Sequence, residues 1–376
     1  MSRIVLRAVG DNLIQTSIYE AAKRGDTYFF DDQYSEVRAL IKEADIAIVD
    51  QETILVEDRK EITGFPRFGT PYEAADALVN AGFNVVMQGT NHALDKGYKG
   101  IVGDIGIWKK YEDKIKLIGI YDNEKKAVEI PVVEKNGIKV ALLNYTESLN
   151  LHRRPLFKSY CVNTMKPGDK GKIRRDIKRA RELADVVIIL PHWGVEYLYE
   201  PVERQKKWAR FFAECGADLI IGTHPHVLQY QENIKTGDGR NVPCFFSLGN
   251  FISEHMNLRG VVIGGMADVK IEMDDSHHIR ITRADIIPTV THTDKKLSFF
   301  KVMKLSDYTN DLASENGLLD IINIRFNDQV DADRLRDIFS DIMERRALAK
   351  SMFKKPSDVF FFNLMCVILQ LRKNKK

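Results

Sequence analysis

The sequence predicts a layered α/β domain in which mixed β-sheets are covered by helices. Short apolar runs alternate with helix-length amphipathic segments through most of the 376-residue chain. Two long segments, 261–273 and 278–288, then indicate an antiparallel strand pair. The composition, 44% hydrophobic and 29% charged, is ordinary for a globular protein. A chain of this length can bury a large core without stabilisation by disulfide bonds or structural metals.

Strands are predicted where short aliphatic and β-branched runs stop at polar or turn-forming residues. The predicted strands are 4–9, 45–49, 83–87, 115–120, 128–134, 138–145, 185–190, 217–221, 242–246, 261–273 and 278–288. The run 185–190 is apolar throughout after its first residue, which is typical of a strand buried on both faces. A tight turn at Asn136-Gly137 joins two of the strands.

Helices are predicted where apolar residues recur at helical spacing between capping signals. The predicted helices are 33–43, 71–81, 97–111, 167–184, 201–215 and 331–349. Pro71 at the start and Gly82 beyond the end mark one of them clearly. The charges of 167–184 are interpreted as a solvated face. The Gly- and Pro-containing segment 53–71 is predicted to be a loop that could fold over a site.

The periodic pattern weakens past about Val290, which divides the chain into a domain of residues 1–290 and a C-terminal accessory region of 291–376. From Arg345 onward the chain carries nine Lys or Arg against one acid, Asp358. The apolar segment 359–371 inside this tail is too short to cross a bilayer. It predicts either peripheral contact with an anionic membrane or a terminal helix docked on the core or on another subunit.

Charge and cysteine usage narrow the class of protein. The net charge of +3 and the lack of a nucleic-acid-binding motif exclude nucleic acid as an expected partner. The four cysteines, at 161, 215, 244 and 366, lack CxxC spacing and are predicted to be reduced thiols. The chain starts with a strand rather than a secretory leader, so we expect a cytoplasmic protein that the tail could bring to the inner membrane surface. None of these features predicts an oligomeric state.

Polar side chains of one chemical kind follow five predicted strands. In chain order they are Asp11; Asp50 and Glu52; Asn91 and His92; His192 and Glu196; and His224 and His226. Carboxylates, amide oxygens and imidazoles are the ligands of hard and borderline divalent metals. An isolated pair of nearby histidines is more often structural, but the agreement among five strand ends favours a metal site aimed by a rigid sheet.

Several motifs in this order resemble the CapA-type family of capsule and poly-gamma-glutamate biosynthesis proteins, which has the calcineurin-like metallophosphoesterase fold. The most specific are GTNHALD at 89–95, HWGVE at 192–196, GADLIIGTHPHV at 216–227 and SLGNF at 247–251. The resemblance runs from about Ile4 to about Ile287. It implies an α/β (α+β) fold, a four-layer αββα sandwich of two mixed β-sheets, followed here by the helical accessory region.

The resemblance also implies a role for each matching position. The implied metal ligands are Asp11, Glu52, Asn91, His192, His224 and His226. Asp50 is the less favoured alternative to Glu52 for a carboxylate that bridges two metals. His92 and Glu196 are the candidate catalytic residues, although Glu196 could instead orient His192. Leu13 stands where phosphoesterases have a histidine, so one metal site is expected to be weaker. The cofactor is one or two divalent ions of Mn, Zn, Fe or Mg.

Three functions fit these features. The leading hypothesis is a CapA-family metal-dependent hydrolase that acts on a peptide, polyglutamate or polysaccharide precursor of a capsule or cell-envelope polymer, with an anionic or peptide substrate as its partner. One alternative is a metal-dependent peptide epimerase in ribosomal peptide maturation, a role that relatives of the family have. The other is a non-catalytic membrane-surface subunit of a capsule synthase, which the basic, aromatic tail favours.

Overall fold

The structure, a computed structural model, describes residues 2–345. Its strands are β1 (Ser2–Asn12), β2 (Lys23–Arg24), β3 (Thr27–Tyr28), β4 (Ile46–Gln51), β5 (Leu55–Val56), β6 (Thr70–Pro71), β7 (Val85–Met87), β8 (Lys116–Ile118), β9 (Val132–Lys135), β10 (Ile138–Thr146), β11 (Val186–His192), β12 (Leu219–Ile221), β13 (Leu228–Lys235), β14 (Asn241–Leu248), β15 (Asn250–Ile252), β16 (Ile263–Met273), β17 (Ile279–His292) and β18 (Lys301–Lys304). Its α-helices are α1 (Thr16–Ala22), α2 (Arg38–Lys42), α3 (Glu73–Ala81), α4 (Gly97–Trp108), α5 (Glu124–Val128), α6 (Lys170–Leu183), α7 (Glu203–Cys215), α8 (Asn310–Glu315), α9 (Gly317–Phe326) and α10 (Ala332–Met343).

Two mixed sheets form the centre of the molecule. The first has the strand order β18-β17-β16-β1-β4-β7-β8, and β15 pairs with the end of β1. The second has the order β13-β14-β12-β11-β10-β9. In each sheet four consecutive strands run parallel, namely β1, β4, β7 and β8 in the first and β10, β11, β12 and β14 in the second. The carboxyl ends of these strands therefore share one edge of each sheet.

The sheets and helices form four layers. Along β4, Ile46 and Ile48 pack against the second sheet, whereas Ala47 and Val49 pack against helices on the outer face. This alternation follows from the two-residue period of a strand. Helix α3 covers the first sheet, helices α6 and α7 cover the second, and helix α10 contacts β13 at the edge of the second sheet. The predicted αββα sandwich with two mixed sheets is confirmed.

The C-terminal part of the described chain packs on the first sheet. Strand β17 continues through residue 290 to His292, and β18 extends the same sheet. Leu318 of α9 and Leu335 of α10 are fully buried in the core on the outer face of that sheet. The helical character of this region is confirmed, whereas its division from residues 1–290 as a separate unit stays a prediction. The last residues of the predicted helix 331–349 and the basic, aromatic tail lie outside the described residues.

Most predicted elements are present, and some of them differ from the prediction in their bounds. The predicted helix 33–43 is split into a 3-10 turn at Asp31–Tyr34 and helix α2. Tyr34 is fully buried and its hydroxyl donates to Asn12 Oδ1 at 2.8 Å, so a long-range contact interrupts the helix. The predicted strand 128–134 begins only at residue 132, because α5 occupies residues 124–128. Each helix within residues 2–345 is too short or too polar to span a bilayer.

Three of the four cysteines lie in the described residues and carry free thiols. Cys161 and Cys244 are buried and Cys215 is half-buried. Burial raises the pKa of the Cys244 thiol well above its usual range, so this sulfur behaves as a core side chain. Cys366 lies outside the described residues.

Candidate metal centre

The predicted metal-binding side chains gather where the carboxyl ends of the parallel strands of both sheets meet. They are Asp11 in β1, Asp50 in β4, Glu52 just after β4, Asn91 after β7, His192 at the end of β11, and His224 and His226 after β12. All of them are buried, with exposed fractions from 0% to 8%. Polar groups at this depth are stable only when they are paired, hydrogen-bonded or bound to a metal.

Asp11 holds the loop that carries the two histidines. His226 Nδ1 lies 3.1 Å from Asp11 Oδ2, and the backbone N–H of His224 donates to Asp11 Oδ1 at 3.0 Å. Both histidines have a left-handed backbone, with φ of 97° at His224 and 57° at His226. A non-glycine residue in this region costs about 1–3 kcal/mol and persists only where its surroundings hold it. The strained turn therefore depends on the Asp11 carboxylate.

His192 joins the two sheets at the centre. Its Nδ1 lies 2.9 Å from Asp50 Oδ2 and 3.0 Å from Thr223 Oγ1. Its Nε2 lies 3.0 Å from Asn91 Oδ1. Both ring nitrogens thus face oxygen atoms, and the imidazole is held in one orientation.

Glu52 lies at the middle of the cluster. Its Oε1 is 3.7 Å from His226 Nε2 and 3.9 Å from both His192 Nε2 and His92 Nε2. Within residues 2–345, neither carboxylate oxygen of Glu52 has a hydrogen-bond partner, and the same is true of Asp50 Oδ1 and His224 Nδ1. Buried acceptors without a partner carry the full cost of lost hydration, so this arrangement favours a bound cation.

The donor set fits divalent metal ions. Six of the predicted side chains form two groups, and within each group the ligand atoms lie within 4.8 Å of one another. One group is Glu52, His224 and His226, and the other is Asp11, Asp50 and His192. Carboxylate oxygens and imidazole nitrogens are accepted by Zn, Mn and Fe alike. Because Glu52 Oε1 also lies close to His192 of the other group, its position suits a carboxylate shared between two ions.

Burial shapes the electrostatics of the centre. It raises the pKa of Asp50 to about 7 and the pKa of Glu52 well above its usual range. It lowers the pKa of His192 to about 3. Burial opposes the charged form of His226 as well, but the Glu52 and Asp11 carboxylates outweigh it and raise the pKa of His226 to about 10. A divalent cation would favour ionised carboxylates and neutral imidazoles, so its binding would release protons.

The two ring nitrogens of His92 face different groups: Nδ1 faces Asp95, and Nε2 faces the cluster. His92 Nδ1 lies 2.7 Å from Asp95 Oδ2, which also accepts the backbone N–H of Phe68 at 2.7 Å. The Phe68 and His92 rings meet edge to face, with centroids 4.7 Å apart. Part of the predicted loop 53–71 therefore covers this residue, while Nε2 of His92 points to Glu52. Its catalytic role stays a prediction.

Two further predictions concern Glu196 and Leu13. Glu196 is half-buried in the loop after β11, and its charge is among the causes that raise the pKa values of Glu52 and His226. It therefore lies near the centre, and its catalytic role stays a prediction. Leu13 is 2% exposed and offers no side-chain donor or acceptor. The weaker metal site expected from Leu13 likewise stays a prediction.

Five residues outside the predicted set belong to the surroundings of the centre. Thr223, Asn250 and Asp95 each place an oxygen within 2.7–3.1 Å of Nδ1 of one predicted histidine. His255 packs edge-on against one of these rings, with centroids 4.8 Å apart, and His152 Nε2 lies 3.6 Å from the Asp95 carboxylate. The first three lie inside the quoted motifs, where they could have been found. The last two have no motif around them.

A cavity of about 480 Å³ adjoins the centre. Its lining includes Asn91, His192 and His224, so a molecule in the cavity has access to the predicted metal ligands. The volume lies within the range of about 300–1,000 Å³ that is typical of small-molecule sites.

Two CapA proteins are similar to this chain in sequence, and one solved protein is similar to it in structure. It is 29% identical over 263 residues to the capsule biosynthesis protein CapA of Bacillus anthracis, a match that covers 66% of this chain and 60% of that protein. It is 31% identical over 188 residues to the PGA biosynthesis protein CapA of Bacillus subtilis (strain 168), covering 49% of this chain and 46% of that protein. The matched regions thus span less than two thirds of either relative. The solved NAD nucleotidase NadN of Haemophilus influenzae is 13% identical, with a TM-score of 0.48 over 92% of this chain and 61% of that one.

A family model settles the family. The model described as bacterial capsule synthesis protein PGA_cap matches residues 5–255, which is more than half of the chain and contains every predicted site residue. The resemblance to CapA-type proteins is thereby confirmed. The chain belongs to the PGA_cap family of bacterial capsule synthesis proteins.

Proposed function

We propose that this protein is a metal-dependent hydrolase acting on a peptide, polyglutamate or polysaccharide precursor of a capsule or cell-envelope polymer. The observation that carries the proposal is Glu52, a buried carboxylate with both oxygens unpartnered and with imidazole nitrogens at 3.7–3.9 Å. Burying such a carboxylate without a cation destabilises the folded protein, whereas a bound cation would offset the lost hydration. The two relatives named for capsule and PGA biosynthesis support the class of product.

The residues that would hold metal ions divide into two groups. Asp11, Asp50 and His192 would hold one ion, and Glu52, His224 and His226 would hold a second. Asn91 presents Oδ1 to the first group, at 3.0 Å from His192 Nε2. Divalent ions held there supply Lewis-acid polarisation of the scissile group and make water a nucleophile at neutral pH.

His92 is the residue of this chain best placed to move a proton. The Asp95 carboxylate accepts a hydrogen bond from His92 Nδ1–H, which leaves Nε2 on the side of the centre. An imidazole oriented in this way can give a proton from Nε2 to a leaving group or position the substrate. Phe68 packs against the ring edge-on and limits its rotation.

Metal analysis and a substrate screen together test the proposal. Purified full-length protein, reconstituted with manganese, zinc or iron, is expected to retain metal and to hydrolyse a phosphomonoester, a phosphodiester or a γ-glutamyl amide. Glu52→Gln should lose both metal and hydrolysis, whereas His92→Asn should lose hydrolysis alone. A folded wild-type protein that binds no metal would overturn the proposal. So would Cα deuterium uptake into a peptide in heavy water without any hydrolysis, which is the behaviour of an epimerase.

A further inference from the structure

The cavity beside the metal centre has a strongly basic lining. Besides the residues of the centre, it is lined by Lys166 shortly before α6, by Lys170 at the start of α6, and by Arg204 and Lys207 of α7. Among residues 2–345, Glu147 is the one carboxylate in the lining. A concave surface of one charge sign concentrates counter-ions and charged substrates. The cavity therefore favours an anionic occupant.

Internal ion pairs do not neutralise this charge. Glu147 is committed to the protein, since one of its oxygens pairs with Arg204 Nε and the other accepts the Gly194 backbone N–H at 3.0 Å. Among residues 2–345, no carboxylate forms an ion pair with Lys166, Lys170 or Lys207. Three ammonium groups thus line the cavity without an acidic partner in the described structure.

One of these lysines is positioned by aromatic rings. Lys170 Nζ lies 5.4 Å from the ring centroid of Trp208 and 5.3 Å from that of Phe211. Trp208 itself lines the cavity and is 5% exposed. A cation–π contact of this kind holds the ammonium group near the cavity without neutralising its charge. Lys170 is exposed, as the interpretation of the α6 charges as a solvated face predicts, and it also lines the cavity.

We propose that Lys166, Lys170 and Lys207 form an anion-binding subsite beside the metal centre. The subsite takes a carboxylate or phosphate group of the substrate next to the bond that is cleaved, because the same cavity is lined by Asn91, His192 and His224. The inference rests on the proposed function in that it takes the metal centre as the place of reaction. It assigns to this protein substrates that carry a negative charge beside the cleaved bond and makes neutral molecules poor ligands.

Equilibrium binding to the full-length protein tests the subsite without reference to turnover. The probes are a γ-linked oligoglutamate, an oligomer of glycerol phosphate and a neutral γ-linked oligoglutamine, measured by calorimetry at low ionic strength. The double variant Lys166→Gln/Lys207→Gln should bind both anionic probes roughly tenfold more weakly, in line with the loss of two partly exposed charge contacts. The anion that wild-type protein binds more tightly identifies carboxylate or phosphate as the natural group. Added salt should weaken binding to wild-type protein more than to the variant.

Matched variants separate the subsite from general charge and folding effects. Lys206→Gln removes one charge from the same helix, but Lys206 pairs with Glu203 and does not line the cavity, so binding should be unchanged. Lys166→Arg/Lys207→Arg should restore binding. Wild-type affinity in the double glutamine variant, or equal binding of the neutral probe, would overturn the subsite. Metal content measured on the same samples shows separately whether the centre, and with it the proposed function, fails.

Discussion

Asp50 Oδ2 lies 2.9 Å from His192 Nδ1, although the two residues are 142 positions apart in the chain. Asp50 belongs to β4 of the first sheet and His192 to β11 of the second. The contact therefore crosses the seam between the sheets at the edge where their parallel strands end. The metal centre can form only when the two sheets are packed together, so its integrity and the stability of the sandwich are linked.

The variant Glu52→Gln tests whether Glu52 is a metal ligand. The change keeps the volume of the side chain and removes a carboxylate with no hydrogen-bond partner. We expect wild-type protein to gain about 2.7 kcal/mol of stability at a metal concentration 100-fold above Kd, and the variant to gain little. Thermal unfolding with and without manganese, followed by elemental analysis, measures this. An equal metal-induced change in both proteins would show that Glu52 is not a ligand.

His92→Asn and Asp95→Asn probe the proton-transfer pair. Because Asp95 accepts from His92 Nδ1 and neither residue is in the predicted metal-ligand set, both variants should retain the wild-type metal content. Loss of a general acid or base typically lowers the rate by about 10²–10⁴-fold, and Asp95→Asn should shift the pH profile of kcat while leaving KM nearly unchanged. Rates and elemental analysis on the same preparations decide the point. Metal loss in His92→Asn would instead make His92 a ligand.

Leu13→His tests the expected weakness of one metal site. Leu13 is buried, directly follows the strand that carries Asp11, and supplies no ligand atom. In wild-type protein we expect a second manganese ion to bind more weakly than the first in a calorimetric titration. The histidine variant should tighten that second step, and Leu13→Ala, which adds no donor, should not. Two equally tight ions in wild-type protein would refute the expectation.

Asp104, which lies outside the candidate metal centre, is expected to make the stability of the protein depend on pH. The side chain is fully buried on α4, and burial raises its pKa well above the usual range, against the opposing effect of Gln88 and Trp108. The folded protein therefore favours the protonated acid. The stability contributed by this group is complete below the unfolded pKa of about 3.9 and is lost as pH rises towards the folded pKa. The loss is about 1.4 kcal/mol for each pH unit that separates the unfolded pKa from the folded pKa.

Asp104→Asn should remove this loss. Its free energy of unfolding in urea should fall less between pH 5 and pH 9 than that of wild-type protein. The exposed residue Asp113 on the following turn is the matched control, since Asp113→Asn should leave the wild-type pH dependence unchanged. Parallel curves for wild type and Asp104→Asn would mean that Asp104 is not protonated in the fold.

Local pattern predicted the elements that have a strong period and clear ends. Helix α3 ends at Gly82 with φ of 109°, and a left-handed glycine is what the sequence signal at that position predicts. The elements that were not predicted include helices α1, α5, α8 and α9 and strands β13, β15 and β18, and strands β5 and β6 lie inside the segment 53–71 that was predicted to be a loop. In β13, half of the residues are exposed or half-buried and polar, so its strand character comes from pairing with β14 rather than from its own apolar pattern.

By itself the sequence indicated which kinds of side chain gather at the candidate centre. Apolar runs that end shortly before Asp11, Glu52, His192 and His224 placed candidate ligands just beyond strands, because strand burial and strand termination are local properties. The tertiary structure decided everything that depends on distance between segments. It left Glu52 rather than Asp50 with both oxygens unpartnered at the middle of the cluster, and it turned Lys166 and Lys207 toward one cavity. A local charge pattern cannot separate a solvated lysine from one that lines a site, since only packing between α6, α7 and the sheet creates the cavity.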